Sequence, residues 1–112
     1  MLYDLTNLKE SFNQDEKELE EVVRLFIKYF PIYVHGLEPA YKRKDYELLH
    51  YNLHKIKSNL YLFNVEQCRQ EVHMMEEMVR EEFLPEKENL LKIISVLNRV
   101  MEEIKKDYPH LC

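Results

Sequence analysis

The apolar residues of this chain recur with the spacing of helices rather than of strands. The clearest stripe has successive gaps of 3, 4, 3, 4 and 3 residues and consists of Tyr46, Leu49, Leu53, Ile56, Leu60 and Phe63. A gap of three or four residues returns a side chain to the same face of a helix, whereas strands alternate with a period of two. The pattern therefore predicts a long helix that packs into a core.

A first long helix is predicted to begin at residues 13–16, Asn-Gln-Asp-Glu, because a capping side chain is followed there three residues later by Glu. It should extend to about Phe30, since Pro31 cannot continue the hydrogen-bond ladder and predicts a break, kink or restart. A short helical segment from Asp4 to Phe12 precedes it. A weaker helical pattern follows over residues 31–44, where Gly36 and Pro39 interrupt the spacing.

Two further helices are predicted in the second half of the chain. Asn64 can end the preceding helix in a left-handed conformation and, with Gln67, resembles the start of the next. That next helix has an apolar stripe at Val65, Cys68, Val72, Met75 and Val79. The last helix, with Pro85 in its first turn, has its stripe at Ile93, Leu97, Val100 and Ile104, and should end near Tyr108.

Consecutive amphipathic helices with short connections pack as antiparallel neighbours. We therefore expect an all-α fold, an antiparallel up-down four-helix bundle with additional short N-terminal helical segments. A chain of 112 residues without a linker or repeat predicts a single domain, residues 1–112. One Gly and four Pro leave few turn signals for a sheet.

Charge and cysteine content exclude several classes of protein. The chain has 16 Lys and Arg against 21 Asp and Glu, a formal net charge of −5, and its longest basic cluster is Lys42-Arg43-Lys44, so a nucleic-acid partner is not expected. No apolar run reaches the roughly 20 residues of a membrane helix. The two cysteines, Cys68 and Cys112, suit a reducing cytoplasm better than a disulfide scaffold.

Candidate chemistry lies on the polar side of the Tyr46–Phe63 helix. At about 100° per residue, the side chains within roughly 60° of His54 are those of His50, Tyr51, Lys57, Ser58 and Tyr61, and the apolar stripe lies roughly 120° away. His54 is therefore predicted to point out of the core. An exposed neutral imidazole is a competent nucleophile toward a phosphoryl group, and Lys57 could bind the phosphoryl oxygens. By spacing alone, a histidine beside lysines is more often part of an ordinary solvated helix face.

The string from His54 to Asn64, HKIKSNLYLFN, resembles the signature of histidine-containing phosphotransfer (HPt) domains. In that signature a phosphorylatable His is followed by any residue, an aliphatic residue, Lys and a small residue. The resemblance also includes residues 25–31, LFIKYFP, which look like the apolar end of that family's first helix. Lys44-Asp45-Tyr46 looks like the turn before its active helix, and the similarity in pattern covers about residues 3–79.

The resemblance implies a role for individual residues. His54 would be the phosphoacceptor and Lys57 the cation that stabilises the phosphate, while His50, Tyr51, Lys55, Ser58 and Tyr61 would contact the partner. Ser58 stands where the family usually has Gly or another very small residue, Asn59 replaces a smaller Ser or Ala, and Asn64 stands where Gly commonly ends the helix. These departures bear on the choice of partner and on the rate of phosphoryl transfer.

The resemblance also implies a function. An HPt domain is a stoichiometric phosphocarrier rather than an enzyme, and it passes a phosphoryl group reversibly between its His and the Asp of response-regulator receiver domains. It needs no metal or other cofactor of its own, since the Mg²⁺ belongs to the receiver. The expected partners are receiver domains and a hybrid sensor histidine kinase in a multistep His-Asp phosphorelay. We expect the protein itself to be a monomer in the cytoplasm, with no membrane or nucleic-acid partner.

Two other functions are compatible with these residues. A non-catalytic interaction module would use the His54 face only to bind a partner. A surface zinc site could form from Glu47, His50 and His54, although no second Glu-x-x-His motif supports a di-iron bundle. A conventional hydrolase or transferase is not indicated, because the chain has no catalytic triad string and no Gly-rich phosphate loop.

The segment after Asn64 carries two features with more than one interpretation. Its methionines, Met74, Met75 and Met78, are predicted to be core residues. Alternatively, Met74 or Met78 could belong to an adhesive groove on the surface. Its acidic residues, beginning with Glu76 and Glu77, are predicted to lie on a solvated helix face. Alternatively, Glu76 and Arg80 could face His54 from the neighbouring helix and tune it.

Overall fold

The computed structural model describes residues 1–112 and is all-helical. Its six α-helices and one closing 3₁₀ turn are α1 (Thr6–Ser11), α2 (Glu16–His35), α3 (Leu37–Lys42), α4 (Tyr46–Leu62), α5 (Arg69–Arg80), α6 (Lys87–Asp107) and the turn Pro109–Leu111. The molecule measures 42 × 23 × 22 Å. The prediction of an all-α protein is confirmed, and no helix is long and apolar enough to cross a membrane.

Helix α2 begins later and ends later than predicted. Asp15, not Asn13, caps it, because the Asp15 carboxylate accepts hydrogen bonds from the backbone of Lys17 and Glu18. The helix does not end at Phe30 but continues through Pro31 to His35. Phe30 and Val34 are fully buried on either side of the proline, so packing outweighs the one hydrogen bond that Pro31 removes.

Helices α2, α4, α5 and α6 supply most of one continuous core. Helix α4 packs along both α2 and α5, while α6 packs along α2. The centre is aromatic, since the Phe26 ring lies 4.4 Å from that of Phe30 and 4.5 Å from that of Phe63 between centroids. All the apolar positions of the predicted α4 stripe are buried except Tyr46, which is partly exposed. The periodicity therefore located the buried face of α4 correctly.

The single glycine lies between α2 and α3, where the chain passes close to α4. A Cβ atom at Gly36 would lie only 2.7 Å from Nδ2 of Asn52, which is buried on α4. A larger residue would have to displace the Asn52 side chain. The weak helical pattern of residues 31–44 becomes the end of α2 followed by the short α3.

The connection between α4 and α5 is a tight turn. Asn64 has the predicted left-handed backbone, with φ 51°. The predicted start of the next helix at Asn64 and Gln67 is wrong, because α5 begins at Arg69 after a second left-handed residue, Cys68, whose side chain makes no cap. Two left-handed residues reverse the chain while Val65 stays buried, and so α5 returns antiparallel along α4.

The last helix and both termini close the bundle at one end. Pro85 lies before α6 rather than in its first turn, and α6 extends to Asp107 as predicted from the break at Tyr108. The Tyr3 hydroxyl donates to Asp107 and the Leu2 amide donates to Glu103, so the N-terminal segment is held on α6. Asp4 accepts from Thr6 at the start of the short α1.

Candidate functional site

His54 occupies the central position of α4 and points away from the core. Its side chain is 55% exposed, on the face opposite the buried stripe, as the helical spacing predicts. The helix that carries it is well defined at its start, where Asp45 accepts a hydrogen bond from the Leu48 amide after a left-handed turn at Lys44. The imidazole is thus an accessible group on a rigid element.

A buried carboxylate lies directly beneath this histidine. The Glu76 side chain, on α5, is 1% exposed, and its Oε2 atom lies 3.3 Å from Nδ1 of His54. Its Oε1 atom lies 3.0 Å from Nζ of Lys57. Two further groups surround it, since Oε2 is 3.6 Å from Nε2 of His50 and 3.6 Å from the Arg80 guanidinium.

These neighbours decide the charge of Glu76. Burial by itself would raise the pKa of the carboxyl, but hydrogen bonds and positive charge from Lys57 and His54 outweigh it and hold the pKa below the ordinary value of 4.5. Glu76 is therefore an anion at neutral pH. It is a buried charge compensated mainly by Lys57, whose side chain is itself only 18% exposed.

The ionised carboxylate also determines which imidazole nitrogen is free. A carboxylate can only accept a hydrogen bond, so Nδ1 of His54 must carry the hydrogen that it donates to Oε2 of Glu76. In the neutral ring the Nε2 atom then keeps its lone pair. The arrangement therefore leaves a nucleophilic nitrogen on the exposed edge of the ring.

The surroundings of His54 contain the other predicted acceptor-site residues. Lys57 lies one turn along α4 and also approaches Nδ1 of His73, at 3.5 Å. The exposed Ser58 donates its hydroxyl to the His54 carbonyl, which keeps this small side chain close to the helix. His50 stacks nearly parallel to His54, at 6.2 Å between ring centroids. These residues form one polar cluster between α4 and α5.

The predicted partner-contacting aromatics lie on either side of this cluster. The Tyr51 and Tyr61 side chains are 51% and 58% exposed. Each has a cation against its ring, Lys55 for Tyr51 at 5.6 Å and Arg69 for Tyr61 at 4.6 Å. The surface around His54 therefore combines exposed aromatic area with positive charge.

The sequence interpretation of Glu76 as part of a solvated acidic face is wrong, since it is among the most deeply buried side chains. The alternative, in which Glu76 and Arg80 face His54 from the next helix, agrees with the geometry. The sequence did contain one sign of this burial: Glu76 occupies a position on the same helical stripe as the buried residues Val72, Met75 and Val79. His73 as a neighbour of Lys57 was not foreseen.

The alternative zinc site of Glu47, His50 and His54 is not assembled in this structure. No group of three His, Cys, Asp or Glu side chains is arranged to hold a metal ion. His50 and His54 both turn toward one carboxylate, but it belongs to Glu76 rather than Glu47. Lys57 and Arg80 already supply positive charge at that carboxylate, which disfavours a cation there.

Comparison with known proteins adds no relative. The chain matches no protein-family model, no curated protein and no solved structure.

Proposed function

We propose that this protein is an HPt-type phosphocarrier in a multistep His-Asp phosphorelay, with His54 as its phosphoacceptor. The observation that carries the proposal is the exposed imidazole of His54, held through Nδ1 by the buried carboxylate of Glu76 and accompanied by Lys57. In this proposal the protein accepts a phosphoryl group from one receiver aspartate and passes it reversibly to another. It is a stoichiometric carrier, and Mg²⁺ is supplied by the receiver.

The fold that we infer for this role is an up-down four-helix bundle made of α2, α4, α5 and α6, with α1 and α3 as additions. The packing of α4 against α2 and α5, and of α6 against α2, supports it. In such a bundle one face of the acceptor helix packs on the core, and the opposite face, which carries His54, is accessible to a partner. The inferred carrier works as a monomer in the cytoplasm.

The transfer step follows from the inferred tautomer of His54. The Nε2 lone pair attacks the phosphorus of the receiver's aspartyl phosphate, an N–P bond forms, the P–O bond breaks, and the aspartate leaves as a carboxylate. No proton has to move, because Nδ1 keeps its hydrogen. The ring becomes a cation, which the Glu76 carboxylate stabilises at 3.3 Å from Nδ1.

Lys57 has the complementary role in this mechanism. Its ammonium group pairs with the same carboxylate as the acceptor ring and in this proposal offers charge to the phosphoryl oxygens during transfer. Ser58 leaves room for the receiver loop that carries the aspartate. His50, Tyr51, Lys55 and Tyr61 provide the surrounding contact surface, and the lysine charge complements an acidic receiver pocket.

The decisive experiment uses a small phosphoryl donor, so that no partner is needed. Wild-type protein incubated with phosphoramidate should gain about 80 Da, the mass of one phosphoryl group, in an acid-labile form. His54→Ala should gain nothing. His110→Ala is the matched control, because His110 also faces a carboxylate, with Nε2 3.1 Å from Glu20, but lies far along the chain from α4; it should load normally.

Two outcomes would overturn the proposal. Folded wild-type protein that takes up no phosphoryl group, or a His54→Ala variant that loads as well as wild type, would exclude His54 as an acceptor. The exposed Tyr51 and Tyr61 beside His54 would then favour a non-catalytic interaction module that uses the same face.

A further inference from the structure

A second surface, on the other side of α5, has the composition of a peptide-binding groove. It lies between α5 and α6 and has a volume of about 340 Å³. Met75, Pro85 and Ile93 are buried at its base, whereas Met74 and Met78 are 57% and 39% exposed on its wall. We define these five residues as the methionine groove.

The groove exists because of how the helices pair. Helix α5 packs along α4, and α6 packs along α2, so α5 and α6 make few close backbone contacts with each other. Side chains of α5, of α6 and of the connection between them line the gap. Unbranched methionines suit such a gap, since their flexible, polarizable side chains adapt to whatever apolar group enters.

The methionine groove is separate from the His54 cluster. At about 100° per residue, Met74 and Met78 are both roughly 160° around α5 from Glu76. Glu76 faces α4 and His54, so the two methionines face away from that helix. A partner in the groove would leave His54 accessible.

The rim of the methionine groove is mainly acidic. Glu71 and Glu86 line the groove and are exposed, and neither makes an ion pair. The one cation in the lining, Lys92, lies 3.6 Å from Glu88, which compensates it. The rim therefore carries uncompensated negative charge around an apolar base.

We propose that the methionine groove binds a basic amphipathic helix of a partner protein. Apolar side chains at helical spacing would enter between Met74 and Met78, and Lys or Arg side chains would face Glu71 and Glu86. From Glu71 to Met78 the groove follows about 10 Å of α5, which corresponds to about two turns of a bound helix. This inference does not depend on the phosphotransfer function.

The test uses a synthetic helical peptide of about 18 residues, with Leu on one face and Lys on the other, added to protein labelled at its methionine methyl groups. The chain has five methionines, and Met74, Met75 and Met78 report on the groove. Met1 and the buried Met101 lie outside it and serve as internal references. Saturable shifts are expected at the three groove methyls, with Met1 and Met101 unchanged.

Variants then separate shape from charge. Met74→Gln combined with Met78→Gln should weaken binding at least about tenfold, while Glu71→Gln combined with Glu86→Gln should weaken it several-fold and reduce its salt dependence. Leu91→Gln is the matched control, because Leu91 is 42% exposed, does not line the groove and is roughly 160° around α6 from Ile93; it should bind like wild type.

Peptide controls decide whether binding is specific. A peptide with the same residues in scrambled order, and one with Glu in place of Lys, should both fail to shift the groove methyls. Equal shifts with the scrambled peptide, unchanged affinity in the double methionine variant, or no saturable binding of the amphipathic peptide would each overturn the proposal. None of these outcomes bears on the phosphotransfer proposal, which the phosphoramidate experiment tests separately.

Discussion

The two faces of helix α5 are opposite in character: one buries a charged side chain and the other exposes apolar ones. On one face Glu76 is a buried charge, surrounded by Lys57, His50, His54 and Arg80 within 3.6 Å. On the other face Met74 and Met78 are apolar and exposed. A buried charge is stable only with its partners in place, whereas an exposed methionine depends on no neighbour. Substitutions on the Glu76 face should therefore change the free energy of unfolding more than substitutions of Met74 and Met78.

The largest effect is expected from removing the buried charge. Glu76→Ala should lower the free energy of unfolding by about 3 kcal/mol, because Lys57 is left largely buried without its partner. Urea unfolding measures this loss. Glu77→Ala is the control, since Glu77 is the next residue, is 47% exposed and pairs with the same Arg80; its loss should stay below about 1 kcal/mol. Similar losses in the two variants would contradict the contrast between the faces.

A smaller effect is expected on the proposed chemistry when Lys57 is replaced. Lys57→Ala, measured under conditions in which it is folded because Glu76 loses its main partner, should load from phosphoramidate about 10- to 100-fold more slowly, since one preorganised cation is lost. Lys55→Ala is the control: Lys55 lies over the Tyr51 ring rather than at Glu76, and a small donor does not test partner contacts. Rates of loading followed by intact mass give the comparison, and an unchanged rate for Lys57→Ala would remove it from the site.

The pH dependence of stability should carry the signature of Glu76. Its pKa in the folded protein lies below the ordinary 4.5, so in this range the unfolded chain binds the proton more readily. The stabilisation by ionised Glu76 is therefore present above about pH 5 and is lost as the pH falls through the folded-state pKa. Urea unfolding from pH 6 downward should show a shallower decline in Glu76→Gln than in wild type. Parallel curves would contradict it.

The smallest effects are expected from the exposed side chains of either face. His54→Ala should change the free energy of unfolding by less than about 1 kcal/mol, because Lys57 continues to compensate Glu76. Met74→Gln should change it by less than about 0.5 kcal/mol. Thermal or urea unfolding measures both. A loss above 2 kcal/mol for His54→Ala would indicate a structural histidine and would weaken the acceptor argument.

Periodicity predicted the helices well and their ends less well. The stripe of α4 and its left-handed end at Asn64 follow from local rules, because side-chain spacing and a tolerant backbone are properties of short segments. The continuation of α2 through Pro31 and the start of α5 at Arg69 do not. Both depend on residues that become buried only after the chain has folded, such as Val34 and Val65.

The candidate site was predictable in part for the same reason. His54 and Lys57 lie on one helix, so their shared face and the exposure of the histidine could be derived from the sequence. The carboxylate that orients the ring is 22 positions away in sequence and on another helix. Its acidic neighbours made it look like part of a solvated face, and only the pairing of α4 with α5 identifies it as buried.

What the sequence determined by itself is the helical class, the face of α4 that is buried and the exposure of His54, because these follow from residue types a few positions apart. Tertiary structure alone decided that Glu76 lies under His54, and that a gap between α5 and α6 leaves Met74 and Met78 uncovered. The physical reason is that burial and pKa depend on distances between helices, and those distances are set by the packing of the whole core.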